Sequence, residues 1–331
     1  MVDLTTRYMG LTLKNPIIIA SSGLTGNVEN IKKLEANGAG AVVLKSIFEE
    51  EIMMEYNHMM NQMDKFESDY EYFDYYDYKI KEENVSNYLK LIKEAKASVS
   101  IPVIASVNCV SAHEWTYFAK KIEEAGADAL ELNAFILPSD PERTSEDNEK
   151  VYFELVEKVR NEISIPVALK MSYYFSSLAQ SIKKLSETGL KGIVLFNRFY
   201  SPDFDIETLK VTSSHVFSAQ SDQVMPLRWI SIMAEKVSCD LAASTGIHEG
   251  KDVVKMLLAG ASAVQVASAI YKNGAEYVQT MIKELEDWMN RHNYLNIEQF
   301  KGKMSQAKNE NGAHYERVQF MRYFGEKESA L

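Results

Sequence analysis

Cysteine is almost absent from this chain: Cys109 and Cys239 are the only two in 331 residues, far apart and each in or beside an apolar run. A disulfide framework is thereby excluded, and two buried thiols suit a reducing cytosol. Histidine is scarce as well, with six in all. Neither His113-Glu114 nor His248-Glu249 has a second histidine four residues on, so no metal site is expected. Positive charge is in deficit, 36 Lys and Arg against 47 Asp and Glu, for a net charge of −11. No basic run is present to track a phosphate backbone, which argues against a nucleic-acid partner. No apolar stretch approaches the ~20 residues of a membrane span, and MVDLTTRYMG has no basic segment followed by an apolar one. Neither a membrane span nor a secretory leader is therefore expected. G-x-S-x-G, Walker A and G-x-G-x-x-G motifs are all missing, and with them the signatures of hydrolase, P-loop and Rossmann chemistry.

What is present is a repeat. Asn37-Gly38-Ala39-Gly40-Ala41-Val42 is echoed by Ala125-Gly126-Ala127-Asp128-Ala129-Leu130, by Thr188-Gly189-Leu190-Lys191-Gly192-Ile193 and by Ala259-Gly260-Ala261-Ser262-Ala263-Val264. Each copy follows a stretch of helical periodicity. Its glycine reads as the residue just past a helix, where positive φ is wanted, and the apolar run after it as a short buried strand. Ser-Ile-Pro-Val occurs at 100–103 and again at 164–167, with proline opening an apolar run each time. Ser111-Ala112-His113-Glu114 has capping-box spacing. Eight candidate strands follow, at 17–20, 41–45, 102–107, 129–133, 166–170, 192–196, 240–244 and 263–267. They are continuously apolar, as parallel strands buried on both faces are. Eight such units predict a (β/α)₈ barrel, with 1–331 as a single domain ending in a polar tail from about 305. A doubly wound open sheet is the alternative. Two connections are longer than plain turns need. One carries Glu49-Glu50-Glu51, methionines between 53 and 63 and YEYFDYYDY at 70–78; the other runs from about 197 to 239. Leu4 to Leu13 predicts a hairpin that plugs the opposite end of the barrel.

In a barrel, residues at the C-terminal strand ends face the active site. Here they are Ser21-Ser22-Gly23, Lys45-Ser46, Ser106 with Asn108, Asn133, Lys170, Asn197, Ser244-Thr245-Gly246 and Ala267-Ser268. Lysine is rarely buried without a partner. Lys45 and Lys170 read either as cations over an anionic ligand or as salt bridges at the rim. Thr245-Gly246 and Ala267-Ser268 stand where barrels bind phosphate, on backbone N–H groups after strands seven and eight; ordinary tight turns are the other reading. The set suits a phosphorylated, planar, polyoxygenated ligand, and FMN meets that description. Asparagine amides pair with ring nitrogens and carbonyls, and a lysine at the N1/C2=O edge stabilises negative charge on reduced flavin. A Schiff base on Lys45 or Lys170, in a flavin-free barrel lyase, is the competing chemistry.

These motifs resemble the dihydroorotate dehydrogenases, FMN-dependent (β/α)₈ enzymes, particularly the soluble class 1 members, over residues 3–304. The likeness is carried by LKNPIIIASSG, GAGAVVLKS, ALELN, PVALKM, STGIHEGKDVVKMLLAGASAVQVASAIYKNG, IKELEDWM and FKGKM. It implies that Ser22 and Gly23 form the flavin-contacting turn and that Lys45 and Ser46 lie beside flavin and substrate. Ser106 and Asn108 would meet the flavin, Asn133 would serve both flavin and substrate, and Lys170 would hold the N1/C2=O edge. Asn197 would bind substrate; Gly246, Ala267 and Ser268 would hold the phosphate, with Thr245 standing where the family has the first of two glycines. Pyrimidine biosynthesis, a small-molecule substrate and a cytoplasmic homodimer are implied with them. The departures are as informative. In the family the loop after strand four reads Asn-x-Ser-Cys-Pro-Asn, or has Ser for Cys, and that Cys or Ser takes a proton from dihydroorotate C5 while hydride goes to flavin N5. Here Asn133-Ala134-Phe135-Ile136-Leu137-Pro138 puts Ile136 in its place, and an alkyl group accepts no proton. The Leu-Pro-Asn substrate motif after strand two is missing, and the double glycine before strand seven is Gln220-Ser221. Ser139 and Asp140 are the nearest replacement bases, or else turn residues within Pro138-Ser139-Asp140-Pro141. Tyr70, Tyr72 and Tyr75 are candidate acids. The expectation is an FMN oxidoreductase acting on a CH–CH bond next to a carbonyl; the alternative is a flavin-binding protein without dehydrogenase activity.

Overall fold

The computed structural model describes residues 2–48, 70–109, 115–134, 136–198, 201–213, 215–310 and 312–316, with side chains at 70–83, 109 and 115–117 left out. Glu49–Glu51, the methionines between 53 and 63, Ser111–Glu114 and Phe135 lie outside the described residues, as do the side chains of Tyr70, Tyr72 and Tyr75.

All eight expected strands form: β1 (Ile17–Ile19), β2 (Ala41–Val43), β3 (Val103–Cys109), β4 (Ala129–Ala134), β5 (Val167–Met171), β6 (Gly192–Leu195), β7 (Asp240–Ser244) and β8 (Ala263–Val266). Each pairs in parallel with the next, and β8 pairs back onto β1, so the sheet closes into a (β/α)₈ barrel. The helices between them are α1 (Val28–Ala36), α2 (Tyr70–Ser98), α3 (Trp115–Glu124), α4 (Ser145–Glu162), α5 (Leu178–Glu187), α6 (Val224–Met233), α7 (Gly250–Ala259) and α8 (Ser268–Asn273), followed by α9 (Tyr277–Arg291). The four repeat glycines, Gly38, Gly126, Gly189 and Gly260, have φ of 97°, 94°, 87° and 120°, the conformation for which glycine was expected.

Alternation along each strand divides the core in two. Ile17 and Ile19 face the helices, whereas Ile18 faces inward with Ala41, Val43, Ala129, Ala168, Val194, Ala242 and Ala263. The interior alanines leave room for Tyr8 and Met9, which are fully buried among them. These two belong to an antiparallel hairpin, Thr6–Tyr8 with Leu11–Leu13, that plugs the N-terminal end as expected. The Met9 N–H donates to the Asp240 carboxylate (2.8 Å) and fixes the plug to the start of β7.

The Ser-Ile-Pro-Val repeat has a shared structural cause. A glutamate near the end of the helix one β/α unit earlier, α1 or α3, reaches across to each copy. Glu35 accepts from the Ser100 N–H (2.6 Å), the Ser100 hydroxyl (2.7 Å) and the Ile101 N–H (3.1 Å). Glu123 does the same with Ser164 and Ile165. Burial alone would raise the Glu35 carboxyl, but these donors hold it below its ordinary value; at Glu123 the Ser164 hydroxyl is the largest influence and the net direction is the same. Carboxylates held low in the fold stabilise it above the ordinary carboxylate range, and that stabilisation is lost as pH falls through it. A Glu35→Gln/Glu123→Gln variant is therefore expected to be less stable than the parent at pH 7, with the gap narrowing below about pH 4. Urea titrations at the two pH values measure it; a gap independent of pH would contradict the ionic account.

Two segments read as long connections contain regular structure. Within 197–239 are an exposed hairpin, Pro202–Asp205 with Lys210–Ser213, and the helix α6. The run VMPLRWISIM buries Pro226, Ile230, Ser231 and Met233, and its proline sits in the first turn, where no N–H is needed. YEYFDYYDY begins the 29-residue α2. The polar segment after 304 starts out packed: Ser305 is buried and the Gln306 N–H donates to the Ser231 carbonyl (2.8 Å). No helix among the described residues is long and apolar enough to cross a membrane.

Candidate active site

Register brings the central residues together. In the ladder from β3 through β4 to β5, Asn108 lies beside Asn133 and Asn133 beside Lys170. All three follow in-facing positions two residues earlier, so they line the C-terminal mouth of the barrel. Asn197, just past β6, donates its Nδ2 to the Asn133 Oδ1 and lies 3.5 Å from the Lys170 carbonyl. On the other side of the mouth the hydroxyls form a chain. The Oγ atoms of Ser21 and Ser46 are 2.9 Å apart, and those of Ser46 and Ser106 are 2.7 Å apart. Ser106 is held in turn by Tyr88, whose hydroxyl donates to the Ser106 carbonyl (2.9 Å) and accepts from its N–H (2.7 Å).

Below this layer lies a polar pair that strand-end reading misses. Glu131 is 1% exposed, and its carboxylate is 4.0 Å from the Lys170 ammonium. Gln265, in β8 across the barrel, joins the two: its Oε1 accepts from Lys170 (2.8 Å) and its Nε2 donates to Glu131. Burial drives both ions toward their neutral forms, opposed by their mutual attraction, leaving Glu131 above its ordinary value and Lys170 below. The signal was available in the sequence: a glutamate inside the apolar run ALELN is almost never buried without a partner.

The mouth also has unmet polar demand. The Asn108 Oδ1 and the Glu131 Oε1 are buried and have no hydrogen-bond partner among the described residues. Unsatisfied buried groups at a concave site mark places where a ligand's polar atoms belong.

The turns after β7 and β8 lie on the same face. Thr245 has φ of 81° and Gly246 of 80°. A β-branched residue in that region is strained by about 1–3 kcal/mol, a feature that clusters at functional turns. The Thr245 hydroxyl donates to the Phe196 carbonyl (3.1 Å) and helps to hold it there. A Cβ on Gly246 would lie 2.2 Å from the Gln223 nitrogen. Ser268 accepts from the Ser218 N–H (3.0 Å), and the Ser218 Oγ is 3.1 Å from the His248 Nε2. Ala267 precedes Ser268 at the start of α8.

The remaining expected residues stand further out. Ser22 bonds the Ala20 carbonyl (3.1 Å), and Gly23 is exposed beside Tyr271. Lys45 is exposed at the rim, unlike Lys170. Ser139 and Asp140 are exposed in a turn: the Ser139 N–H donates to the Leu137 carbonyl (2.8 Å), and the Asp140 carboxylate accepts from the Glu142 N–H (3.0 Å). Neither joins the Asn133–Asn197–Lys170 group. Ile136 is half-buried and packs against the core. Among the described residues no cluster of three acidic, histidine or cysteine side chains is placed to hold a metal.

The chain resembles curated proteins along nearly its whole length. It is 26% identical to the catalytic subunit of dihydroorotate dehydrogenase B (NAD(+)) from Thermoplasma volcanium, covering 91% of this chain and 98% of that one. The protein of the same name from Thermoplasma acidophilum is also 26% identical, over 91% and 99%. The dihydroorotate dehydrogenase A (fumarate) of Lactobacillus delbrueckii subsp. bulgaricus is 25% identical over 82% and 89%. The protein-family model for dihydroorotate dehydrogenase matches residues 3–289. With the closed barrel and the polar mouth in place, the conclusion is that the chain belongs to the dihydroorotate dehydrogenase family and is an oxidoreductase of that kind.

Proposed function

We propose that this chain is an FMN-dependent oxidoreductase acting on a CH–CH bond next to a carbonyl, with a substrate other than dihydroorotate. The observation that carries the reading is the row Asn108–Asn133–Lys170, with a buried acceptor, the Asn108 Oδ1, that has no donor among the described residues. FMN fits this set. Its ring offers an N–H to the free acceptor and carbonyls to the asparagine amides and the Lys170 ammonium. When bound, the flavin supplies two-electron redox chemistry. Glu131 and Gln265 hold the Lys170 ammonium, which would stand at the ring's electron-rich edge. Asn133 and Asn197 would position ring and substrate, Ser46 and Ser106 would border them, and Thr245-Gly246 with Ala267-Ser268 would hold the phosphate. A cytoplasmic homodimer belongs to the same reading.

The loop after β4 supplies no proton acceptor in this account, since Ile136 is alkyl and Ser139 and Asp140 are exposed in a turn. A positioned general base contributes about 10²–10⁴-fold. Anaerobic mixing of the flavin-loaded protein with dihydroorotate is therefore expected to bleach the flavin no faster than the enzyme-free background. Rapid bleaching that Ser139→Ala or Asp140→Asn abolishes would assign the base to that residue and contradict the account. Ile136 also favours a second reading, a flavin-binding protein with no dehydrogenase activity. Fast reoxidation of the photoreduced protein by a small-molecule acceptor would count against it.

A further inference from the structure

Beside the mouth lies a cleft of about 360 Å³ between the loop after β4, the first half of α4 and the loop after β5. Small-molecule sites fall at about 300–1,000 Å³. Its walls combine four aromatic residues, Tyr152, Tyr173, Tyr174 and Phe175, with polar ones such as Asn148 and Glu149. Tyr152, 2% exposed, has its ring 5.0 Å from that of Phe175. The Tyr173 ring is 4.8 Å from Tyr174 and meets Phe196 edge-on at 5.7 Å. Phe196 directly precedes Asn197 in the chain, and the cleft opens among loops of the same face of the barrel as the paired asparagines. Ile136 forms the wall on the loop side. Among the described residues the lining contains no Lys, Arg or His, and beyond the tyrosines its ionisable side chain is Glu149, whose carboxylate accepts from the Ser181 hydroxyl (3.0 Å).

We propose that this cleft holds the non-reacting part of the substrate, an aryl group that carries no negative charge and preferably a positive one. The inference rests on the redox reading of the mouth, because the cleft adjoins it. An aromatic ring would pack against the aromatic side of the cleft, Tyr152, Tyr173, Tyr174 and Phe175. An ammonium group finds Glu149. A carboxylate would meet Glu149 and, among the described residues of the lining, no cation, an arrangement that interfaces use to reject a ligand. The replacement of a polar catalytic loop by Ile136 and the exclusion of a carboxylate substrate then describe one change of specificity.

Two phenols of similar size and opposite side-chain charge, tyramine and 4-hydroxyphenylacetate, test it by calorimetric titration of the flavin-loaded protein. Tyramine is expected to bind about fivefold more tightly, the upper scale of one partly exposed charge pair. Glu149→Gln should reduce the preference to about twofold, and Tyr174→Ala should weaken tyramine about fivefold, the scale of one aromatic contact. Tyr174 is 40% exposed, so its truncation spares the core. Equal or tighter binding of the carboxylate, no binding of either phenol, or a preference unmoved by both substitutions overturns the proposal. The flavin absorption of the same samples is an independent readout. Retained flavin without a tyramine preference sinks the cleft alone; a tyramine preference in protein that takes up no FMN sinks the flavin reading alone.

Discussion

Lys170→Met is expected to lower the unfolding free energy at pH 7 by about 3–5 kcal/mol, because it strands a buried carboxylate. Glu131 is 1% exposed, and the Lys170 ammonium is the cation beside it. Gln265 donates one hydrogen bond to Glu131 but brings no charge. The remedy follows from the same physics. Adding Glu131→Gln to Lys170→Met removes the stranded charge and should restore stability to within about 1 kcal/mol of the parent. The pH dependence has a definite sign. Burial raises the Glu131 carboxyl above its ordinary value, so its protonated form is favoured by the fold and the penalty of the single variant shrinks as pH falls. Urea denaturation of the three proteins at two pH values reads all of this. A Lys170→Met protein within 1 kcal/mol of the parent (~1.4 kcal/mol being tenfold in the equilibrium) would show the pair to be solvated and the site open. Flavin is a second readout: without the ammonium at the mouth, both Lys170 variants are expected to purify with little FMN, including the one whose stability is restored.

The second large effect is expected at the turn after β7. Gly246→Ala places a methyl group 2.2 Å from the Gln223 backbone nitrogen, on a residue with φ of 80°. Backbone cannot swing aside as a side chain can, so the turn itself must move. We expect about 2–4 kcal/mol of destabilisation and FMN affinity lower by about 10²-fold, the scale of lost phosphate hydrogen bonds. Riboflavin, which lacks the phosphate, should lose much less affinity, and that contrast separates a phosphate site from a merely damaged fold. Equal losses for FMN and riboflavin would place the phosphate elsewhere.

The barrel was legible because its strands are short apolar runs opened by a glycine just past a helix, a pattern repeated at Gly38, Gly126, Gly189 and Gly260. Helix α6 was less legible, since VMPLRWISIM is apolar nearly all round and carries a proline. In α2 the run of tyrosines and aspartates masked the start of a long helix. The row Asn108–Asn133–Lys170 could be placed from sequence because strand ends have a fixed position in this fold. The Lys170–Gln265–Glu131 link could not, because it depends on which in-facing residues of β4, β5 and β8 meet across the barrel. Ser139 and Asp140 drew attention by proximity to the altered loop, yet Pro138 and Pro141 bracket an exposed turn, and turn geometry decided where their polar groups went.

The claim on which the rest depends is that this barrel binds FMN at the Asn108–Asn133–Lys170 mouth. The absorption spectrum of the protein, purified without added cofactor and then incubated with FMN and desalted, tests it most directly. The account predicts a band at about 450 nm and release of about one FMN per chain on denaturation. Protein that stays colourless after incubation with FMN would contradict it.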